Sequence, residues 1–438
     1  MSRRKALGLM AAGAAVVGGA PVAGARPAPE SVAPLGDEFL WGVGMSGYQA
    51  EGHTPDSNQT RYMGRRNPEL LQYPDSADFY TRYASDIDLL AGLGAGVFRL
   101  SIEWARVQPS PDGWSKDGFD FYDRVLARLA DKGIRPMLVL DQWVYPGWVA
   151  DRGGWRTDDI VDLWLANARK VVERYASHDP LWISFFEPFN YIKYEWRDGD
   201  LDTAQIPDMN RRIGRAHNAI YDHIHQRQPG AMVTMSTAFW SDVVEGFTNP
   251  SLTAEIGDRL DYVGIGTYYT PTLDLLTKNP LSWSSPDVWS IQPESIYYAL
   301  TYYARQYPGK PIYVVESALY SFDGAPRPDG YARADHLRDT VYWLQRAKAD
   351  GAEVIGYNYW SLTDSFEWDG YNPRMGIYQV DIRTDPTLTR HPTDVAEAYR
   401  TVVREHGVHA HYRPVRAPQS CSFQDLPDSC TDPVAVPN

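Results

Sequence analysis

Cysteine is almost missing from this chain: two occur among 438 residues, Cys421 and Cys430. Two thiols close together cannot staple a fold of this length. Both lie in a Pro/Ser/Asp-rich C-terminal tail, where an exported chain is expected to close one small loop with a Cys421–Cys430 disulfide. The pair has no third or fourth ligand nearby. His406, His409 and His411 precede the tail but read as polar surface residues, and no other cluster has metal-ligand spacing, so no metal is expected. A Gly-rich phosphate turn is lacking as well: the first apolar run leads into Met45-Ser-Gly-Tyr-Gln-Ala-Glu-Gly52, without a dinucleotide fingerprint, and no organic cofactor is implied. Basic residues are few, with 42 Lys and Arg against 56 Asp and Glu and a formal net charge of -14. That balance argues against nucleic acid or an anionic membrane surface as partner.

The N-terminus carries a processing signal. Ser2-Arg3-Arg4-Lys5 precedes the apolar, Ala/Gly-rich run from Ala6 to Val22 and then Ala23-Gly24-Ala25: a charged head, a short apolar core and a small-residue cleavage site. The paired arginines point to the twin-arginine route. The competing reading is a membrane anchor, for which the run is short and glycine-rich. Residues 1–25 are therefore assigned to a removable export signal, the mature protein to the extracellular space, and stable membrane insertion is not expected. Residues 26–35 read as a disordered lead-in, 36–407 as one domain and 408–438 as the tail.

Within that domain, short apolar runs alternate with amphipathic stretches. Strands are predicted at Phe39–Val43, Gly96–Ser101, Arg135–Leu140, Leu181–Phe186, Ala231–Ser236, Tyr262–Gly266, Ile312–Val315 and Val354–Tyr359. Helices are predicted at Tyr80–Leu93, Tyr122–Lys132, Ile160–Ala176, Met209–Gln228, Glu294–Gln306, Arg333–Asp350 and Asp394–His406. Strands separated by helices give a parallel sheet, and eight is the number that closes a (β/α)8 TIM barrel of the α/β class with decorated βα loops. An open doubly wound sheet is the alternative; the missing phosphate turn weighs against it.

Polar residues gather at one end of these strands. Arg99 is on the second, Asp141 and Gln142 follow the third, and Glu187 ends the fourth. Tyr268 follows the sixth, Glu316 ends the seventh and Trp360 ends the eighth. Carboxyl ends of barrel strands are where barrel enzymes keep their sites. Two glutamates so placed suit a pair of acids acting across one scissile bond. The 15 Trp and 29 Tyr offer faces that stack on sugar rings, although most aromatics in a barrel pack its core.

Several long motifs in order resemble glycoside hydrolase family 1, the β-glucosidase family, from Asp37 to about Gly407. Phe39-Leu-Trp-Gly-Val-Gly-Met-Ser-Gly-Tyr-Gln49-Ala-Glu-Gly52 is similar to its opening motif, and Phe98-Arg99-Leu-Ser-Ile-Glu-Trp104-Ala-Arg106-Val-Gln-Pro109 to its second-strand motif. Trp360-Ser-Leu-Thr-Asp364-Ser-Phe-Glu367-Trp368 and Gly370-Tyr371-Asn-Pro-Arg374-Met-Gly376 are similar to its closing signature. The resemblance implies Glu187 as acid/base, Glu316 as nucleophile, and Arg99 and Tyr268 as the pair that orients and ionises the nucleophile. It implies Gln49, Glu367 and Trp368 as sugar-holding residues and Trp360 as the platform beneath the sugar. Asp141, Gln142, Trp143 and Phe186 complete the expected substrate contacts. The implied partner is a small-molecule glycoside or an oligosaccharide. The implied reaction is retaining, with the two carboxyls about 5–5.5 Å apart and a covalent glycosyl intermediate.

The sequence departs from the family pattern around the non-reducing sugar. Phe186 stands where an Asn that binds the sugar 2-hydroxyl is usual, and Gln142 where a sugar-binding His is usual. Ser317-Ala318 replaces Asn-Gly, Thr267 and Ser365 each replace Asn, and the closing signature is one residue shorter between Trp368 and Gly370. Three explanations stand open: a glycone lacking or misplacing the 2-hydroxyl, such as a 2-deoxy sugar; another unusual sugar, such as a pentose or furanose; or faded activity. Transglycosylation at the same site and sugar binding without catalysis are the competing functions.

Overall fold

Runs rich in β-branched and aromatic residues, such as Ile312-Tyr-Val-Val-Glu-Ser317 and Val97-Phe-Arg-Leu-Ser101, are buried along their whole length. Residues covered on both faces belong in a parallel sheet wrapped by helices. A computed structural model describes residues 31–66, 69–239, 254–268, 270–271, 289–368 and 370–418. The proposed signal peptide and the Cys421–Cys430 disulfide lie outside the described residues.

The strands run Leu40–Gly44, Val97–Ser101, Arg135–Val139, Leu181–Ile183, Met232–Thr234 with Thr237–Ala238, Val263–Gly266, Ile312–Ser317 and Val354–Trp360. Every pairing among them is parallel. The first strand lies between the second and the eighth. The two outer segments of the sheet are Met232–Thr234, on the fourth strand, and Thr237–Ala238, on the sixth. They are successive pieces of one fifth strand, interrupted at Met235 and Ser236, so the sheet returns upon itself as the expected eight-stranded barrel.

The helices lie at Phe79–Gly92, Lys116–Asp131, Ile160–Tyr175, Ile206–Arg227, Ser295–Gln306, Arg333–Ala349 and Asp394–Arg404. Their apolar stripes face the sheet. In Asp394–Arg404 the buried residues Val395, Ala396, Ala398, Tyr399 and Val402 follow helical spacing, and each fully buried valine of this kind contributes roughly 1.5–3 kcal/mol.

Four features differ from the sequence expectation. The fourth strand stops at Ile183, short of Phe186. The Phe186 N–H still donates to Asp141 O, just past the third strand, at 2.9 Å. A helix that the alternation did not announce, Pro188–Arg197, begins at once, with Pro188 in its first turn, where a missing N–H costs nothing. Residues 31–35, expected within the lead-in, lie against the barrel: Val32 and Leu35 are buried, and their N–H groups donate to Ala410 O and His406 O at 3.0 and 2.8 Å. Beyond residue 407 the chain still docks, with Tyr412 Oη and the Val415 and Arg416 N–H groups donating to Asp339 at 2.7, 2.9 and 3.0 Å.

Candidate active site

Glu316 sits near the end of the seventh strand, where the pairing register slips on both sides: between Val314 and Glu316 against the sixth strand, and between Val314 and Ser317 against the eighth. A slip of this kind re-aims a side chain beside a site. Glu316 Oε2 accepts from Arg99 Nη2 at 2.5 Å, and Oε1 accepts from Tyr268 Oη. Arg99 is fully buried between two rings, Phe186 at 4.4 Å and Trp360 at 4.9 Å. Its Nη1 donates to Gln142 Oε1 at 3.3 Å. A guanidinium so enclosed is a fixed positive charge.

Glu187 is held differently. Its backbone has φ 43° and ψ 70° as it caps the helix Pro188–Arg197, a conformation that costs a non-glycine residue about 1–3 kcal/mol and collects at functional sites. Trp143 and Trp368, which line the same cleft, share the left-handed region with φ 69° and 51°. The Glu187 N–H donates to Ser236 O at 3.1 Å, in the break of the fifth strand. Asn190 Nδ2 donates to Glu187 Oε2 at 2.6 Å. Oε1 lies over Gly266, where an added Cβ would stand 2.3 Å from it.

Burial pushes both carboxyls up, because a charge loses water there. For Glu316 the Arg99 guanidinium and the Tyr268 hydroxyl oppose that rise. For Glu187 the neighbouring Glu316 charge adds to it, and its carboxyl is pushed up to about 8. Glu316 therefore ionises first, and the remaining proton stays with Glu187. The Arg99 guanidinium opposes the effect of burial on Glu316 without a net depression.

The far side of the cleft is a polar clamp on an aromatic floor. Gln49 Nε2 donates to Phe366 O at 2.6 Å and to Glu367 Oε2 at 3.3 Å, and Trp360 Nε1 donates to Glu367 Oε1 at 3.1 Å. Trp368 stacks on Tyr48 at 5.4 Å and 8°. Trp143 and Tyr194 stand 5.0 and 5.1 Å from its ring. The cleft holds about 800 Å³ of empty space, its open mouth included, ample for a sugar.

The family model of glycosyl hydrolase family 1 matches residues 32–239 and 253–408. The chain belongs to that family. It is similar to thermostable beta-glucosidase B of Thermobispora bispora, 28% identical over 448 residues that span 85% of this chain and 91% of the relative. Beta-glucosidase A of Thermotoga maritima is 25% identical over 448 residues, spanning 84% and 98%. The solved beta-glucosidase of Thermotoga maritima in complex with deoxynojirimycin superposes with a TM-score of 0.74 at 25% identity, covering 86% of this chain and all of that one. As a member of glycosyl hydrolase family 1 the protein is a glycoside hydrolase.

Of the residues singled out in the sequence, this family 1 barrel brings Glu187, Glu316, Tyr268, Gln49, Gln142, Trp143, Trp360, Glu367 and Trp368 to one cleft, with Arg99 directly behind Glu316. Two expected substrate contacts are placed elsewhere. Both Asp141 oxygens are occupied inside the protein, Oδ1 by the Trp143 N–H and Oδ2 by Trp164 Nε1, each at 2.9 Å. Asp141 thus braces the Trp143 loop. Phe186 is fully buried, its ring against Arg99 and 5.9 Å from the Trp143 ring, so it acts on the sugar site through those two neighbours. Asn190, Tyr194 and Tyr320 line the cleft without having been foreseen. For Asn190 the signal was present: it stands three residues after Glu187, one helical turn onward behind a proline.

Proposed function

We propose that this family 1 enzyme is an exported retaining β-glycosidase acting on a glycone other than plain glucose. The observation that carries the two-carboxyl mechanism is the unequal pair of buried carboxyls at one cleft, Glu316 against Arg99 and Tyr268 and Glu187 pushed up beside it; membership of glycosyl hydrolase family 1 supports the retaining course. In the first step the Glu187 proton goes to the glycosidic oxygen, and the C1–O bond breaks with its electron pair leaving on that oxygen. A Glu316 oxygen then forms the new bond to C1. In the second step Glu187, now a carboxylate, takes a proton from water as the water oxygen displaces Glu316. The relatives' description as beta-glucosidases supports the β configuration.

The atypical glycone rests on Phe186 and Gln142. A phenylalanine supplies no donor to a sugar hydroxyl, and the Gln142 oxygen is engaged by Arg99. Hydrogen bonds to the 2-hydroxyl strengthen in the transition state, and one lost donor costs about 2–4 kcal/mol. A sugar without a properly placed 2-hydroxyl forfeits nothing here. A panel of chromogenic β-glycosides, including 2-deoxyglucosides, pentosides and furanosides, tests the idea, with mass spectrometry for a sugar adduct on Glu316. A strong preference for the ordinary glucoside would remove the unusual glycone, and an adduct on another residue would remove the nucleophile. Export is supported by the charged head, apolar core and small-residue site of residues 1–25, and N-terminal sequencing of secreted protein, expected to begin near Arg26, tests it.

A further inference from the structure

We infer that Asn190, pinned by Lys193, is a positioning residue that fixes which oxygen of Glu187 carries the proton. The inference rests on the reading of Glu187 as acid/base. Glu187, Asn190 and Lys193 succeed one another at intervals of three along the start of the helix Pro188–Arg197. Lys193 Nζ donates to Asn190 Oδ1 at 2.7 Å. An ammonium only donates, so the amide oxygen must face Lys193 and the amide nitrogen must face Glu187. The side-chain flip that usually leaves an asparagine ambiguous is thereby decided by chemistry. Nδ2 then donates to Glu187 Oε2 at 2.6 Å, and an oxygen facing a donor is an acceptor. The proton is left to Oε1, the oxygen that overlies Gly266, and Gly266 itself lines the cleft.

The charged and titratable groups that act on Glu187 are Glu316, Tyr268, Arg99 and Lys193. Of these Lys193 lies on the acid's own helix and reaches it through Asn190. The Asn190 bond also favours the carboxylate that Glu187 becomes after proton transfer. Its loss therefore moves the ionisation of Glu187 to higher pH, while misplacing the proton at every pH.

The test compares Asn190→Ala and Lys193→Met with the parent enzyme on two β-glycosides of one glycone. One has a poor leaving group that needs protonation; the other has 2,4-dinitrophenolate, which does not. Asn190→Ala is expected to lower kcat/KM on the poor leaving group roughly 10- to 100-fold, to leave the dinitrophenyl substrate within about threefold, and to move the alkaline limb upward. Lys193→Met is expected to shift in the same direction by less. Equal losses on both substrates, or an alkaline limb that stays in place in both variants, would overturn the inference. Should Asn190→Ala not fold, an unshifted Lys193→Met overturns it alone. Glu187→Ala, assayed alongside with added azide, separates the two levels. If azide fails to restore dinitrophenyl turnover, the acid/base reading falls; if azide restores it and the Asn190 and Lys193 variants behave as the parent, only the positioning role falls.

Discussion

Glu316 and Glu187 are buried at the same mouth of the barrel, yet their neighbours differ in kind. Glu316 meets a permanent cation and a phenol, both donating to it. Glu187 meets a neutral amide and, across the cleft, the charge of Glu316 itself. Low dielectric raises both carboxyls; the neighbours decide which one yields its proton first. A single fixed arginine thus divides two chemically identical side chains into a base-like and an acid-like member, as glycoside cleavage requires.

That contrast can be broken at either member. Removing the nucleophile has the largest expected effect: Glu316→Ala should lose on the order of 10^5-fold in kcat on every glycoside, with no covalent adduct in the mass spectrum. Loss that spares good leaving groups would mean the two roles are exchanged. Glu187→Ala should lose about 10^2- to 10^4-fold on poor leaving groups but far less on dinitrophenyl glycosides. The sign of its pH dependence follows from a carboxyl pushed up to about 8. The acid works while protonated, so activity of the parent falls as pH rises through that value, and the alkaline limb should vanish in Glu187→Ala. A limb that persists would assign it to another group. Tyr268→Phe sharpens the comparison with a smaller change. Deleting one charge-assisted bond to Glu316 should cost about 1.5–3 kcal/mol, or roughly 10- to 100-fold in kcat, and shift the acid limb upward because the carboxylate loses a donor. An unmoved acid limb would detach Tyr268 from the ionisation of Glu316.

Much of this arrangement was legible in the chain. Alternating apolar runs and amphipathic stretches placed the strands and most helices within a few residues, the helix Lys116–Asp131 starting six residues before its predicted Tyr122, because burial on both faces of a sheet leaves an apolar signature. Glu316 and Trp360 could be assigned to the mouth because each closes or follows such a run, and Arg99 because it is the charge within one. Phe186 and Asp141 could not be oriented. Whether a residue at a strand end points into the cleft or behind it depends on where the ladder stops, and the fourth strand stops three residues earlier than its apolar run, which reaches Phe186. The left-handed turn at Glu187 likewise follows from tertiary hydrogen bonds, not from local propensity. The break in the fifth strand is equally silent in sequence, since Met235 and Ser236 continue an ordinary strand-like run.

That break carries a consequence for how the enzyme could be altered. Ser236, in the gap, holds the main chain of Glu187 from below, while Glu316 is suspended from the unbroken strands opposite, so the barrel's seam runs beneath only one of the two acids. Substitutions along the seam would retune Glu187 in both of its proton-transfer roles while sparing the strand that carries Glu316.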